Sequence, residues 1–195
     1  YTAAAGPLET LIAPPYDVIN ETERERLANL SPHNAVRLEL ATGGEERYAA
    51  VAGLLAQWER EGAIHREDAQ MLYVYEQEFD EAGQRFTRRA LIAGVEAQPW
   101  EEGAVKPHEF TMSGPKEDRL KLLNATRTQL SPVFMIARDR AGQLRDFIDT
   151  TIRSRPADVE TGSGDVHRLW VIEAGHFEMR HIAPLLSESF YIADG

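Results

Sequence analysis

The chain has 195 residues, of which 43% are hydrophobic and 27% are charged, and its formal net charge at pH 7 is −11. This length and composition are those of a globular protein with a buried core, so intrinsic disorder is not the expected state. The negative charge opposes non-specific binding to nucleic acids and anionic membranes, and the absence of cysteine excludes disulfides and thiolate-bound metals.

The first 40 residues predict one helix and one strand. Residues 1–19 are predicted to be irregular because three prolines interrupt backbone hydrogen bonding: Pro7, Pro14 and Pro15. Asn20 can cap a helix over 21–30, which starts with acidic residues. Apolar and charged residues then alternate over 35–40, which predicts a half-buried strand. Its apolar side comprises Val36, Leu38 and Leu40, and its charged side comprises Arg37 and Glu39.

The next segment predicts a long helix and a β-hairpin. Apolar residues recur at helical spacing over 45–62, and Gly62 supplies a stop. The apolar positions are Tyr48, Val51, Ala52, Leu55 and Trp58. Two strands follow over 71–79 and 84–96, and turn-forming residues over 80–83 join them.

The remaining elements mix helices and strands. A loop over 97–114 leads to a helix over 115–126, a strand over 132–138 and a helix over 143–154. The last helix carries one apolar stripe, formed by Leu144, Phe147, Ile148 and Ile152. Residues 155–165, with Pro156 and Gly162-Ser163-Gly164, are predicted to be a linker. The final predicted elements are a strand over 166–173, a helix over 177–188 and a strand over 189–193.

This order of elements predicts an α+β fold with a mixed sheet, a β-hairpin and flanking helices. We expect two subdomains, an N-terminal one over 1–96 and a second over 97–195, with the break near 97–114. No run of about 18 apolar residues occurs, so no membrane-spanning helix is expected. The start has neither a methionine nor a signal-peptide pattern and is typical of a trimmed chain. A cytoplasmic location is expected.

The clearest candidate for ligand binding is the predicted helix start over 113–119. Gly114 is expected as the cap and Pro115 as the first helical residue. Lys116 and Arg119 are three residues apart and share a helix face, beside the free N–H groups of the first turn. Together these groups predict an anion site for phosphate or carboxylate. The alternative is an ordinary helix start with solvated charges.

Three other stretches carry polar groups of chemical interest. His108-Glu109 lies in the loop before that helix and could serve acid–base chemistry, although a loop histidine beside an exposed glutamate is the alternative. Asp165 could orient His167 at a strand entrance, and Arg168 lies on the opposite strand face. Prolines 14 and 15 present Tyr16-Asp17 on a rigid turn, which is also typical of a plain domain start.

Several enzyme classes are excluded by missing motifs. The chain contains no G-x-S-x-G, no Walker lysine loop and no H-E-x-x-H. Serine hydrolases of the α/β class, P-loop nucleotide hydrolases and zinc proteases are therefore not expected, and no metal-ligand set is predicted.

The same stretches, in this order, resemble a bacterial and archaeal family known as domain of unknown function 1015. The motifs extend almost from end to end of the chain. They are Ala13-Pro14-Pro15-Tyr16-Asp17-Val18-Ile19, Ser31-Pro32-His33-Asn34-Ala35-Val36-Arg37, Tyr73-Val74-Tyr75-Glu76-Gln77, Pro107-His108-Glu109, Lys116-Glu117-Asp118-Arg119-Leu120 and His167-Arg168-Leu169-Trp170. Several long motifs at conserved order make this resemblance specific.

The resemblance implies a function through the end of the chain. Family members are about twice this length, and they carry His-His-Arg after the Asp-Gly found here at Asp194-Gly195. That motif is similar to one in ParB-like proteins and free serine kinases, where a strand leads into a helix N-terminus that holds nucleotide phosphates. By this similarity Asp194 and Gly195 begin a nucleotide-phosphate loop. Because the chain stops before the histidines, we expect it not to hold nucleotide in the family's way.

The resemblance therefore implies the N-terminal portion of a nucleotide-dependent small-molecule kinase that acts on free serine or a similar hydroxy compound. Lys116 and Arg119 would take phosphate charge, and Mg²⁺ would arrive with ATP or ADP. Either Glu109 or Asp17 would accept the hydroxyl proton, and either His108 or His167 would orient phosphate or base. The substrate-binding residues are expected to be Tyr16, Arg37, His167 and Arg168.

Two other functions stay open from the sequence. One is a non-enzymatic ligand-binding or regulatory module with the same phosphate-binding architecture, because fold alone does not decide function. The other is a protein-interaction scaffold whose basic residues form surface ion pairs. For the kinase and for the ligand-binding module, the expected partner is a nucleotide or a small phosphorylated ligand. Neither nucleic acid nor a membrane is expected as a partner.

Overall fold

The structure is a computed structural model. It describes residues 1–101, 103–107, 113–162, 164–173 and 188–194, and for 113–115 it describes the backbone alone. The chain forms two compact units, and each takes two chain segments. Unit 1 comprises Tyr1–Arg66 and Phe110–Pro132, and unit 2 comprises Glu67–Glu109 and Val133–Gly195.

Unit 1 is built from helices. After three short 3₁₀ turns at Ala3–Ala5, Leu8–Thr10 and Tyr16–Val18, its helices are α1 Glu21–Leu30, α2 Val36–Glu39, α3 Glu46–Arg60 and α4 Ser113–Thr126. The buried side chains of its core come from both chain segments. They include Leu11, Leu38, Val51, Trp58 and Leu122. Burial of these apolar groups joins the segment after residue 110 to the first 66 residues.

Two predicted helices of unit 1 are confirmed with their caps. α1 spans the predicted residues, and the Asn20 Oδ1 atom accepts a hydrogen bond from the Glu23 amide at 2.9 Å. α3 matches the predicted helix over 45–62 within two residues at each end, and Gly62 follows it with a φ of 72°. Such a positive φ is the usual glycine stop of a helix. The predicted helix over 115–126 is also present as α4, but it begins at Ser113, so Gly114 is not its cap.

The strand predicted over 35–40 is wrong, because this segment forms α2. The cause is Asn34, which is fully buried and whose Oδ1 atom accepts from the Val36 amide at 3.0 Å. The Asn34 side-chain amide donates to the carbonyls of Thr10, at 2.8 Å, and Ile12, at 3.2 Å. These bonds start a helical turn. Because the helix has only four residues, the alternating burial of Val36 and Leu38 looks like a strand pattern in the sequence.

Within its described residues, unit 2 contains two sheets and one helix. The larger sheet is antiparallel, with the order β2-β1-β6-β5. Its strands are β1 Met71–Glu81, β2 Gln84–Ile92, β5 Val159–Thr161 and β6 Val166–Glu173. The smaller sheet is mixed, with the order β3-β7-β4. Its strands are β3 Val105–Lys106, β4 Phe134–Ile136 and β7 Phe190–Asp194. The α+β class and a mixed sheet are thereby confirmed.

The hairpin and the amphipathic helix of unit 2 are confirmed. Ala82 and Gly83 connect β1 to β2 with φ angles of 48° and 77°, which is the geometry of a two-residue type I′ turn. The second strand ends at Ile92 instead of the predicted residue 96. Helix α5 spans Gln143–Ser154, as predicted, and buries its apolar stripe against Val74 and Trp170.

The linker predicted over 155–165 is wrong, because it contains strand β5. Asp158 brings this segment to β6: its amide donates to the Leu169 carbonyl at 2.9 Å, and its Oδ2 atom accepts from the Val171 amide at 2.7 Å. The residues that suggested a linker, Pro156 and Gly162, flank the strand on either side. The predicted strands at 132–138, 166–173 and 189–193 correspond to β4, β6 and β7. The predicted helix over 177–188 lies outside the described residues, apart from position 188.

Replacing Asn34 with Ala is expected to lower the free energy of unfolding by about 2–4 kcal/mol, because the carbonyls of Thr10 and Ile12 and the buried amide of Val36 lose their partner. Urea unfolding measures this change. The matched control is Asn29→Ala on the exposed side of α1, for which we expect a change within about 0.5 kcal/mol. Equal effects of the two substitutions would contradict the role of Asn34 in starting α2.

Candidate functional site

Unit 1 contains a cavity of about 430 Å³ bounded by α2, α3, α4 and the loop between α2 and α3. Its apolar floor is formed by Leu38, Leu40, Val51 and Leu122. Its polar wall is formed by Glu39, Thr42, Arg47, Tyr48, Asp118 and Arg119. An apolar floor with a few convergent polar groups is the usual composition of a small-molecule site, and the volume lies in the usual range.

The loop before α3 positions one of the two arginines. Gly43 has a φ of 117°, a conformation that residues with a side chain rarely adopt. This turn directs the carbonyls of Gly43 and Gly44 toward the Arg47 guanidinium, which donates to them at 3.1 and 3.0 Å. The Glu46 Oε1 atom accepts from the Gly44 amide at 2.9 Å. The loop therefore holds Arg47 at the cavity wall through its backbone carbonyls.

Asp118 is the centre of the polar wall. Its Oδ1 atom accepts from the Arg47 guanidinium at 2.7 Å and from the Tyr48 hydroxyl at 2.8 Å, and its Oδ2 atom accepts from the Arg119 guanidinium at 2.6 Å. Burial alone would raise the pKa of the Asp118 carboxyl. The hydrogen bonds from Arg119, Arg47 and Tyr48 outweigh burial and lower this pKa to about 2. The carboxylate therefore stays ionised and accepts hydrogen bonds at neutral pH.

Arg119 connects α4 to the other side of the cavity. Its guanidinium donates to a carboxylate oxygen of Glu39 at 3.0 Å and to the Glu39 carbonyl at 2.9 Å. The same guanidinium lies 4.5 Å from the centre of the Tyr16 ring, within the range of a cation–π contact. The other carboxylate oxygen of Glu39 accepts from the Ser131 hydroxyl at 2.7 Å. The wall thus carries two guanidinium groups and two carboxylates, with a formal charge of zero.

The structure brings together only some of the predicted site residues of unit 1. Arg119 and Tyr16 are in contact, and Asp17 is exposed on the same 3₁₀ turn as Tyr16. Lys116 is exposed one turn before Arg119 and forms no ion pair within the described ranges. Arg37 lies elsewhere and donates to the carbonyls of Ala28 and Ser31 at the end of α1. His108 and Glu109 lie outside the described residues.

The predicted residues of β6 lie on opposite faces of the larger sheet. Arg168 is on the face that packs on α5, where it forms ion pairs with Glu76, Glu78 and Glu160. Hydrogen bonds from Arg168 to Glu78 and Glu160 raise the pKa of this guanidinium. Glu76 is 5% exposed and also accepts from Arg89 at 2.8 Å. These contacts give Arg168 a structural role as the partner of a buried carboxylate.

His167 lies on the other face of the sheet, and its partner is Tyr75. The Tyr75 hydroxyl is 2.7 Å from the His167 Nδ1 atom, and the two rings stack with their centres 6.1 Å apart. The predicted pairing of Asp165 with His167 is not what the structure has, because the Asp165 carboxylate accepts from the Gln77 amide at 3.0 Å. The partner of His167 is thus a residue of the neighbouring strand β1, and the spacing of residues in the sequence does not reveal which one.

Asp194 is the last residue of β7, at the predicted phosphate junction. It pairs with Phe134 of β4. Gly195 lies outside the described residues.

Besides Thr42, four residues of the polar wall are missing from the predicted site residues: Glu39, Arg47, Tyr48 and Asp118. Tyr48 is predicted only as a core residue of its helix, and Glu39 only as an outward residue of a strand. Of these four, Asp118 is the one that the sequence could have indicated as a site residue, because it is adjacent to Arg119 in the motif from Lys116 to Leu120. The remaining three come from a segment about 80 positions earlier in the chain, so their convergence depends on tertiary structure.

Two surveys of the described residues give negative results. Within the ranges that the structure describes, no helix is both long enough and apolar enough to cross a membrane. In the same ranges, no three His, Asp or Glu side chains converge as a possible metal-ligand set.

Comparison with known proteins gives one match. A family model described as "Protein of unknown function (DUF1015)" matches residues 1–195. No curated protein matches the chain, and no solved structure matches it.

Replacing Asp118 with Asn is expected to destabilise the protein at neutral pH, with a difference from the wild type that decreases in acid. The pKa of this carboxyl is lowered from 3.8 to about 2 on folding. The contribution of the ionised Asp118 carboxylate to the free energy of unfolding is therefore fully present above about pH 4 and is lost as the pH falls through about 2. We expect Asp118→Asn to lower the free energy of unfolding by about 1 kcal/mol at neutral pH. This is roughly half of the value that follows from the pKa shift alone, because the side chain is 30% exposed and solvent weakens its interactions.

Urea unfolding of both proteins at several pH values measures this difference. Asp17→Asn, which changes an exposed carboxylate in the same unit, serves as the control. If the difference in the free energy of unfolding between wild type and Asp118→Asn stays constant from neutral pH to about pH 2, the ionised Asp118 carboxylate is not the source of that difference.

Replacing Arg168 with Gln is expected to lower the free energy of unfolding by about 2–3 kcal/mol, because the buried carboxylate of Glu76 loses one of its two guanidinium partners. Thermal and urea unfolding measure this change. In the control, Arg145→Gln, the arginine is 74% exposed, and its one ion pair with a described residue is long, at 3.9 Å. We expect the control to change stability by less than about 0.5 kcal/mol. An undisturbed Arg168→Gln protein would return this residue to the candidates for ligand binding.

Proposed function

The chain belongs to the family of proteins of unknown function DUF1015, and on this premise we propose that it is part of a nucleotide-dependent phosphotransferase. The acceptor that fits the cavity of unit 1 is a small zwitterionic hydroxy compound, of which free serine is the simplest example. The resemblance to ParB-like proteins and free serine kinases, which is inferred from the sequence at the Asp194-Gly195 junction, supports the choice of phosphoryl transfer. The polar wall of the cavity supports the choice of acceptor.

The observation that carries the proposal is the pairing of opposite charges at the cavity wall. The four charged groups are Arg47, Arg119, Glu39 and Asp118, and their side chains are between 13% and 30% exposed. Guanidinium groups bind carboxylates through paired, charge-assisted hydrogen bonds. The neighbouring carboxylates offer acceptors for an ammonium group. A free amino acid carries both groups and so matches a wall whose formal charge is zero.

The same pairing supports a role of Arg119 in binding the acceptor instead of the nucleotide. A triphosphate or diphosphate carries several negative charges, and the carboxylates of Glu39 and Asp118 would repel it in this cavity. Arg119 already bonds to both of these carboxylates. Lys116, which is exposed one turn earlier, stays the candidate of this helix for phosphate.

The proposed reaction moves one phosphoryl group. The hydroxyl oxygen of the acceptor attacks the terminal phosphorus of ATP or ADP, the bond from that phosphorus to the bridging oxygen breaks, and ADP or AMP leaves. The hydroxyl proton passes to a carboxylate. Such a reaction depends mainly on positioning and charge neutralisation. Since the described residues contain no metal-ligand set, Mg²⁺ would be held by the phosphates of the nucleotide.

The roles of the carboxylates follow from their surroundings. Asp118, with a pKa of about 2, is a weak base and is suited to orienting the acceptor. Asp17 is exposed on the turn that carries Tyr16, and Tyr16 contacts Arg119, so Asp17 is the candidate of unit 1 for proton acceptor. Glu109, the other predicted base, lies outside the described residues.

A second candidate function is ligand binding without chemistry. It is favoured by the contacts of the two carboxylates at the cavity wall, Glu39 and Asp118, since both already accept hydrogen bonds from the Arg119 guanidinium. A regulatory or binding module needs only the pairing of charges. Turnover separates the two functions.

We expect the full-length protein, with Mg²⁺ and ATP or ADP, to form a phosphomonoester from free L-serine, which phosphorus NMR detects. Arg47→Gln is expected to lower kcat/KM at least about tenfold, because it removes one charge-assisted contact to the acceptor carboxylate. Lys121→Gln is the matched control, since Lys121 pairs with Glu45 at the surface and does not line the cavity. Ethanolamine, which has the hydroxyl and ammonium groups but no carboxylate, should be a poorer acceptor.

Each outcome separates the proposals. Serine binding without product, measured by calorimetry, would replace the phosphotransferase with the binding module. Product formation that Arg47→Gln leaves unchanged would remove the cavity as the acceptor site. If the protein neither binds serine nor forms product, both proposals are overturned.

A further inference from the structure

Arg88 differs from the two other arginines of strand β2 in its partners. Arg85 pairs with Asp80 and Glu78, and Arg89 pairs with Glu76 and Asp149. Arg88 forms no ion pair with any carboxylate in the described part of the chain, and its one hydrogen bond there goes to the Gln77 Oε1 atom at 2.7 Å. A guanidinium has five N–H groups, so most of its donors remain available.

The position of Arg88 is held by aromatic rings. Its Cζ atom lies 5.5 Å from the centre of the Phe79 ring and 5.4 Å from the centre of the Phe134 ring. Phe79 in turn stacks on Phe86 at 5.8 Å. Contacts with ring faces hold a guanidinium without neutralising its charge. Arg88 is therefore an ordered, exposed cation in a chain whose net charge is −11.

The strand register places Arg88 in one row with His167. Gln77 of β1 is the Cα partner of Arg88 on one side and of His167 on the other. Neighbouring strands are about 4.8 Å apart, so the backbones of Arg88 and His167 are about 10 Å apart. Residues in one row share a sheet face, and this face is opposite to the one that packs on α5, where Val74 and Trp170 lie.

The other charged and polar groups near this row are already engaged. The Asp165 carboxylate accepts from the Gln77 amide, and the Tyr75 hydroxyl bonds to the His167 Nδ1 atom. When Tyr75 donates this bond, the proton of the neutral imidazole is on Nε2, which can then donate to an anion. The row consequently presents the Arg88 guanidinium at one end and an imidazole of fixed orientation at the other.

The smaller sheet connects this row to the end of β7. Phe134, whose ring contacts Arg88, is the Cα partner of Asp194. Arg88 therefore lies against β4, and β4 pairs with the end of β7.

We propose that Arg88, with His167 as the second donor, binds a phosphate group on this face of the sheet in unit 2. The ligand class is a polyphosphate anion. Its identity as the donor nucleotide rests on the proposed phosphotransferase function.

The test is calorimetric titration of the 195-residue chain with inorganic tripolyphosphate, ATP and adenosine. We expect tripolyphosphate and ATP to bind, and adenosine not to bind detectably. Arg88→Gln should weaken the binding of both phosphates at least about tenfold, which is the effect of losing one charge-assisted contact. Arg85→Gln is the matched control, because it changes an exposed arginine of the same strand whose charge is already paired. It should bind as the wild type does.

Tyr75→Phe provides a second variant. It keeps the ring that stacks on His167 and removes the hydroxyl that orients the imidazole, so we expect a weakening of about threefold. Circular dichroism melting curves establish that each variant is folded.

The outcomes distinguish this site from the proposed function. Equal binding by Arg88→Gln and Arg85→Gln would overturn the site, and so would an absence of binding by the wild type at about 5 mM of either phosphate. Binding that depends on Arg88, with no phosphoserine formed by the full-length protein, would keep the site and remove the phosphotransferase. Phosphoserine formed by the full-length Arg88→Gln protein at the wild-type rate would keep the phosphotransferase and overturn the identity of the bound polyphosphate as the donor nucleotide.

Discussion

The carboxylate of Asp118 is the contact on which unit 1 depends, because it joins two chain segments that are far apart in sequence. α4 returns to unit 1 after the chain has passed through the hairpin of unit 2. Asp118 receives hydrogen bonds from Arg47 and Tyr48 of α3, and its neighbour Arg119 bonds to Glu39 of α2. Apolar burial would hold α4 against this surface in several registers. The ion pairs select one register, because a partly buried charge without a partner is costly.

The same contacts create the cavity and determine its chemistry. Because the arginines and carboxylates pair across the wall, the site has both signs of charge at fixed positions and no net charge. This arrangement favours a ligand with opposite charges of its own and disfavours a polyphosphate. Unit 2 uses its charges differently. On one sheet face Arg168 and Arg89 neutralise the buried Glu76, whereas on the other face Arg88 lies against aromatic rings and keeps its charge.

Local sequence patterns predicted the long elements well. α1, α3 and α5 have caps or apolar stripes that are complete within the segment, and the β1–β2 hairpin has a turn that two residues specify. The two segments whose structure was predicted wrongly have one cause in common. In 35–40 and in 155–165, the side chain that decides the structure, Asn34 or Asp158, bonds to backbone groups that are distant in sequence. No pattern within either segment records those partners.

For the candidate site, the sequence by itself determined the family, the α+β class and several residues that carry charge or stack, including Arg119 and Tyr16. Tertiary structure decided which of these residues meet. It placed His167 and Arg168 on opposite faces of one strand, assigned Arg37 to the end of α1, and added Glu39, Arg47 and Asp118 to the cavity. The physical reason is that a motif fixes the types of residue along the chain, whereas a site depends on neighbours across strands and helices, which only long-range packing brings together.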